Sequence, residues 1–202
     1  YSAAAGFSAL AVVGSSTNTI LDSFISGSTA VVVSGSTGTV IGGSVLIATN
    51  TTGSALSLAA GSVNLTLTTS AFTAGPSGAG IVLQPGNSGL IALTSNTILG
   101  GRWGVSIATM NCGGTCMGNI SISSMIITGP LTAGATGIHF AGGAFISTFS
   151  YVDFNVAEIG VNVNGSPLNS VSRITMRSDS GVKTGSAYEN DTASLVHWDA
   201  PV

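Results

Sequence analysis

The sequence predicts an all-β right-handed parallel β-helix of about seven stacked rungs. Three observations carry that expectation: a short strand signature that recurs at near-constant spacing, apolar alternation at period two within each strand, and a nearly charge-free composition rich in small residues. The signature is a small residue, an apolar one, any residue and a second apolar one. It reads Ala30-Val-Val-Val33, Ala55-Leu-Ser-Leu58, Gly80-Ile-Val-Leu83, Gly104-Val-Ser-Ile107, Gly137-Ile-His-Phe140, Gly160-Val-Asn-Val163 and Gly181-Val-Lys-Thr184. The start positions differ by 25, 25, 24, 33, 23 and 21 residues, and only the fourth interval, which holds Cys112 and Cys116, is long.

Between these strands lie second and often third strands: Val63–Thr68, Leu90–Leu93, Ile120–Ile127, Phe145–Phe154 and Val171–Met176. Gly, Asn, Ser and Pro fill the gaps, as turns require. A repeat of this length, made of short half-buried strands, has one economical solution. Each repeat winds once round an axis, and the next stacks about 4.8 Å above it, like residue on like. The competing fold is a β-sandwich, which predicts strands every 8–12 residues without the recurring start. On this reading residues 1–29 form an N-terminal cap or intersubunit segment, 30–185 the β-helix and 186–202 a C-terminal cap. The sequence opens at Tyr1 without an initiator Met, which reads as a processed chain or an excised fragment. Its apolar stretch Ala3–Val13 lacks a preceding basic region, so a strand or cap is expected there rather than a retained signal peptide.

Composition narrows the function classes. Four Lys+Arg and seven Asp+Glu make 5% of 202 residues, against about 25% in an ordinary domain. Residues 1–100 hold a single charged side chain, Asp22. A half so poor in charge is weakly protected against self-association, so it is expected either to face a partner or to work where charge matters little, as in an acidic medium. The net charge of −3, without a basic cluster, argues against nucleic acid as a partner. No apolar stretch approaches the ~20 residues of a membrane-spanning helix.

In each short strand the second and fourth positions of the signature point inward and the third points out. The outward column reads Val32, Ser57, Val82, Ser106, His139, Asn162 and Lys183. Its polar members Ser106, His139, Asn162 and Lys183 are the candidate ligand-binding residues, spaced to span a saccharide; a solvated sheet face that happens to be polar is the plainer alternative. Trp103, Tyr151, Tyr188 and Trp198 are the aromatic side chains expected to be partly exposed, and each could stack on a sugar or simply pack at a corner.

Cys112 and Cys116 enclose Gly113-Gly-Thr115. A metal site would need further ligands, and His139 and His197 are the only histidines, so no metal or cofactor is expected. A disulfide closing a small protruding loop is the expectation, and it places the chain in an oxidising, extracellular compartment. Sequons for N-glycosylation occur at Asn50, Asn64, Asn119, Asn164 and Asn190, barely more than a chain rich in Ser and Thr yields by chance. Seven carboxylates are present: Asp22, Asp153, Glu158, Asp179, Glu189, Asp191 and Asp199. Asp153 and Asp179 fall late in successive rungs, but Arg177 competes for the same register, and an Asp153–Arg177 ion pair is the expected arrangement.

The run from Gly104 to Gly185, with Asn119-Ile-Ser-Ile followed by Met125-Ile-Ile-Thr-Gly129, resembles the pectate-lyase-like right-handed β-helices, bacteriophage tailspikes among them. With the looser rungs 30–100, the likeness covers three quarters of the chain. It implies a sugar groove on the outward column, trimeric association and a virion-surface or extracellular place. The paired-Asp and Gly-His-Gly motifs of polygalacturonases are absent, as is the calcium-binding Asp cluster of pectate lyases, so enzyme activity is not the expectation. The first functional reading is an adhesion rod that binds a glycan or cell-surface ligand. The second is a structural subunit of an extracellular filament or coat, joined through residues 1–14. The third is a polysaccharide lyase or hydrolase.

Overall fold

The computed structural model describes Ser2 and residues 6–108, 118–129, 135–140, 145–155, 159–163, 176–177 and 186–190. Every strand pairing in it is parallel, which sets the β-sandwich aside and gives a parallel β-solenoid. One wall is an eight-stranded sheet that stacks β1 (Ser8–Val13), β4 (Thr29–Ser34), β7 (Leu56–Leu58), β10 (Ala79–Leu83), β13 (Trp103–Ile107), β15 (Thr136–Phe140), β17 (Ile159–Val163) and β19 (Ser186–Asn190). The second wall stacks β2 (Thr19–Leu21), β5 (Thr37–Gly42), β8 (Val63–Thr68) and β11 (Ser88–Thr94). The third stacks β3 (Phe24–Gly27), β6 (Val45–Ala48), β9 (Ala71–Thr73) and β12 (Thr97–Leu99). The second and third walls merge in β14 (Gly118–Thr128), whose first half pairs with β11 and second half with β12. β16 (Phe145–Asn155) follows β14 along its length, and β18 (Met176–Arg177) pairs with the end of β16.

The register on the first wall reproduces the sequence spacing. Val31 pairs with Leu56, Leu56 with Ile81, Ile81 with Val105, Val105 with Ile138 and Ile138 with Val161. Two expectations are corrected. Residues 8–27 do not stand apart as a cap: β1, β2 and β3 pair with β4, β5 and β6 and form a further rung, so the β-helix starts before residue 30. At the other end Val161 pairs with Tyr188, so the strand after β17 is Ser186–Asn190 rather than one starting at Gly181. The stack therefore continues into the segment expected to be a C-terminal cap. Residues 191–202 lie outside the described residues.

The core is the axial column that alternation demands. Val31, Val33, Leu56, Leu58, Ile81, Leu83, Val105, Ile107, Ile138 and Phe140 project from the first wall, and all are buried. Against them pack Ile41, Leu65, Leu67, Ile91, Leu93, Ile120, Ile122 and Phe149 from the second wall, and Ile25, Leu46, Phe72, Ile98, Met125, Ile127, Val152 and Phe154 from the third. Close packing also explains why the strand signature begins with a small residue. A Cβ on Gly104 would come within 2.4 Å of Ile127 Cγ2 and 2.5 Å of the Gly137 carbonyl oxygen. A Cβ on Gly137 would meet Phe154 and the Gly160 carbonyl oxygen in the same way. At Gly80, Gly104 and Gly137 the third wall's Ile98, Ile127 and Phe154 occupy the space that a methyl would fill, whereas Ala30 and Ala55 start the two earlier strands.

Corners are held by polar ladders. At the turn between the second and third walls, the Ser23 amide donates to Ser44 Oγ (3.1 Å), the Ser44 amide to Ser70 Oγ (3.1 Å), and the Ser70 amide to Asn96 Oδ1 (3.0 Å). The side chains return their own protons to carbonyls: Ser44 Oγ to Gly42 O, Ser70 Oγ to Thr68 O, and Asn96 Nδ2 to Leu67 O. A matching set sits at the turn into the second wall, where the Ser62 amide donates to Asn87 Oδ1 (2.9 Å) and Asn87 Nδ2 to the carbonyls of Leu58 and Gln84. Each ladder satisfies backbone groups that a corner removes from the sheets. The residue just before each member of the first ladder, Asp22, Gly43, Thr69 or Ser95, adopts positive φ, and Ser124 and Tyr151 do the same at this corner in the next two described rungs.

Candidate functional site

The outward column of the first wall is continuous, because parallel register places equivalent third positions side by side. Ala11 pairs with Val32, Val32 with Ser57, Ser57 with Val82, Val82 with Ser106, Ser106 with His139 and His139 with Asn162. Ser106 and His139 are half-buried and Asn162 is buried. After Asn162 the register brings Glu189, not Lys183, into the column. The correction has a plain cause: the last rung spans 27 residues from Val161 to Tyr188, longer than the sequence pattern implies. Lys183 itself lies outside the described residues.

At the centre of the column the structure adds two residues that the sequence did not connect to it. The Trp103 indole stacks on the His139 imidazole, centroids 5.6 Å apart and planes 15° from parallel. The Arg102 guanidinium lies over the same indole, 5.0 Å from its centroid. This arrangement follows from the fold. Arg102 and Trp103 lead into β13, whose Ser106 is the register partner of His139, so the strand start projects its ring towards the neighbouring imidazole. Trp103 is thus already engaged, which removes the simplest form of sugar stacking expected of it. Tyr151, by contrast, is 70% exposed at its corner.

Burial, and then the nearby Arg102 charge, hold His139 below the ordinary imidazole range, so the ring is neutral near pH 7. Its Nδ1 is shut off from solvent without a hydrogen-bond partner among the described residues. An orphaned lone pair there costs less than an orphaned N–H, so the favoured neutral tautomer carries its proton on Nε2, as a donor. Arg102 is exposed and makes no ion pair among the described residues. The described face thus offers donors from Arg102 and His139 and the Ser106 hydroxyl, while Asn162 continues the column as a buried residue. That set suits ligand oxygens rather than a cation.

The remaining candidates are placed as follows. Asp153 is the register partner of Arg177 on the third wall, which puts the two residues side by side as expected; Asp179 lies outside the described residues. Cys112 and Cys116, and with them the expected disulfide, lie outside the described residues, as do Asn164, Glu158 and Trp198. Asn190 and Tyr188 belong to β19. Of the other sequons, Asn50 sits on an exposed turn, where its Oδ1 accepts the Thr52 amide at 3.3 Å. Asn64 is exposed with φ of 58°, and its Oδ1 accepts the Leu90 amide at 2.8 Å. Asn119 is half-buried, with its Oδ1 enclosed. Among the described residues no group of three or more His, Cys, Asp or Glu is arranged to hold a metal, and no helix is long and apolar enough to cross a membrane.

Comparison with protein-family models, with curated proteins and with solved structures finds no match.

Proposed function

We propose that this protein is a binding rod of the tailspike or adhesin kind, which recognises a glycan or a glycan-bearing surface through the outward column of its first wall. The observation that carries the reading is the run Ser106–His139–Asn162 with the Arg102–Trp103 stack beside it. Three hydrogen-bonding side chains stand on adjacent strands, about 4.8 Å apart, a spacing on which successive hydroxyls of one saccharide can be held. One aromatic–imidazole stack fixes the middle residue, so less side-chain entropy is lost on binding. The solenoid supplies a rigid, elongated platform, as repeat architectures do. The proposal includes an extracellular or virion-surface location and association as a homotrimer, for which the nearly chargeless first half is suited.

The test is a glycan array probed with the native chain and with His139→Gln. Binding of a defined oligosaccharide that falls at least tenfold in the variant supports the reading. Absence of any glycan ligand with the oligomer intact argues against it.

A second reading, a subunit of a filament or coat, is favoured by one observation. The first rung exposes Phe7 (68%), Val13 (67%), Leu21 (54%) and Phe24 (60%), and β1 and β2 each pair on one side only among the described residues. An open parallel edge with apolar side chains is suited to strand addition. Light scattering during size exclusion separates the two readings: a discrete trimer fits the rod, and an open-ended polymer lost on deleting residues 1–14 fits the filament.

A further inference from the structure

We infer that the open end of the first rung pairs with the same end of a second copy of the chain, β1 lying antiparallel against its copy, so that two rods join head to head. The inference does not rest on the glycan reading, and it closes at two an association that a filament would continue. Among the described residues β1 and β2 have a strand on one side only, while on the third wall Ser2 bridges Ser26 and covers part of the edge of β3. Edge strands are commonly blunted by a lysine, a proline or a bulge. β1 and β2 contain no charged residue and no proline, and β1 keeps one register against β4 from Ser8 to Val13. The core is open there as well. Leu10, Val12 and Ile20 pack against the axial column and are only partly buried, and Phe7, Val13, Leu21 and Phe24 stand round the rim, each more than half exposed. Such an end leaves the outer backbone groups of β1 to water and stops an apolar column in water.

Charge and outline decide which partner fits. A head-to-tail neighbour would bring up the far end of the stack, where the last described strands, β18 and β19, include Arg177 and Glu189. Arg177 already stands beside Asp153 in register. The one charged residue among positions 1–100 is Asp22, exposed just past β2, so the head has no cation to receive Glu189. Taking a carboxylate out of water without a partner is costly. The outlines differ too, because β16 runs through the second and third walls as one strand of 11 residues, whereas β2 and β3 are separate at the head. A second copy turned round meets the head with the head itself, apolar against apolar, with no charge in either β1. A two-fold contact uses one patch twice and then ends. Antiparallel pairing of β1 with its copy engages the outer N–H and C=O groups of both strands. With the two-fold at the centre of the strand, Ser8 comes opposite Val13 of the other copy, and Ala11 comes close to its own equivalent.

The experiment is sedimentation equilibrium of the native chain over a wide concentration range, beside Val13→Lys and Ala11→Cys. The expected result is an association that doubles the mass of whatever species is present at low concentration and then stops. Val13→Lys sets a charge on an exposed edge position, and it should raise the dissociation constant of that doubling at least tenfold while keeping the native melting curve. Under mild oxidation Ala11→Cys should give a disulfide joining residue 11 of the two copies, mapped by peptide mass. Mass that grows without limit overturns the inference in favour of head-to-tail stacking. A mass that never doubles overturns it as well. So does a doubling that Val13→Lys leaves unchanged, or one in which residue 11 of Ala11→Cys does not reach its own equivalent, since the contact would then lie elsewhere or run the other way. The glycan array with His139→Gln tests the binding reading separately, and none of these outcomes touches it.

Discussion

At the residue scale the fold depends on a few positions where a single atom decides. Gly104 stands between Ile127 Cγ2 and the Gly137 carbonyl, with no room for a Cβ. The carbonyl belongs to the sheet and cannot move without breaking a strand pairing. Gly104→Ala is therefore expected to destabilise the chain by about 3 kcal/mol, the upper end of overpacking costs, read from urea midpoints at unchanged slope. His139 gives the residue-scale pH dependence. Its folded-state pKa lies below the unfolded value, mainly through burial and then through Arg102. Between the two pKa values the unfolded chain binds more protons, so stability is full above the unfolded value and declines as pH falls through this window. His139→Gln should make urea stability fall less steeply than in the native chain on going from about pH 7 downward through the ordinary imidazole range. Parallel profiles for the two proteins would mean that the imidazole is not held neutral.

At the element scale the ladders, rather than the strands, carry the corners. Asn96 ends the described ladder by accepting the Ser70 amide and donating to the Leu67 carbonyl, and all three groups lie in a buried corner. Asn96→Ala leaves both backbone groups unpaired, an expected cost of about 2–4 kcal/mol at 1–3 kcal/mol for each group. Asn96→Ser should cost less, because Ser44 and Ser70 show that a hydroxyl can accept the amide from the rung below. Amide exchange at Ser70 reads the difference directly: fast in the alanine variant, slow in the serine one. The strands themselves were legible in the sequence because core packing imposes a small residue, an inward apolar pair and a fixed spacing. The first rung carried the same sign, since Ala9-Leu-Ala-Val12 fits the signature and lies under Ala30-Val-Val-Val33, but the three-residue β2 leaves too little alternation beside it. The last rung misled for the opposite reason. Gly181-Val-Lys-Thr184 carries the small–apolar start of the signature with Thr at its fourth position, whereas the strand that pairs with β17, Ser186–Asn190, puts Ala187-Tyr188 in those places at a longer spacing. The register Ser106–His139–Asn162 is the one that the strand signature predicts. Arg102 and the stack on Trp103 were not legible, because the residue ahead of a strand and the strand's first residue carry no periodic signal, and Trp103 meets His139 only through the register of the next rung.

At the scale of the whole molecule the solenoid has no centre, only neighbours: each rung touches the rung above and the rung below. Stability in such an arrangement is a sum of local rung energies and interfaces, so it need not be uniform along the axis. The first rung has a partner on one side, exposes Phe7, Val13, Leu21 and Phe24, and only partly buries Leu10, Val12 and Ile20. Two rungs further on, Leu56, Leu58, Leu65, Leu67 and Phe72 are all fully enclosed, and the rung gains corner bonds from Asn87 and Asn96. Native-state hydrogen exchange should therefore show protection rising from β1–β3 through β4–β6 to β7–β9, with the first rung opening at a small fraction of the free energy of the third. If the three rungs exchange at one common value, the unit of folding is the whole stack and the end rung is held from outside, as an assembly partner seated on the open β1 edge would hold it. A graded profile that becomes uniform when the protein is concentrated identifies that partner as a second copy of the chain. The dilute-solution gradient is thus both the measure of how local this fold is and the baseline against which assembly at its exposed end can be seen.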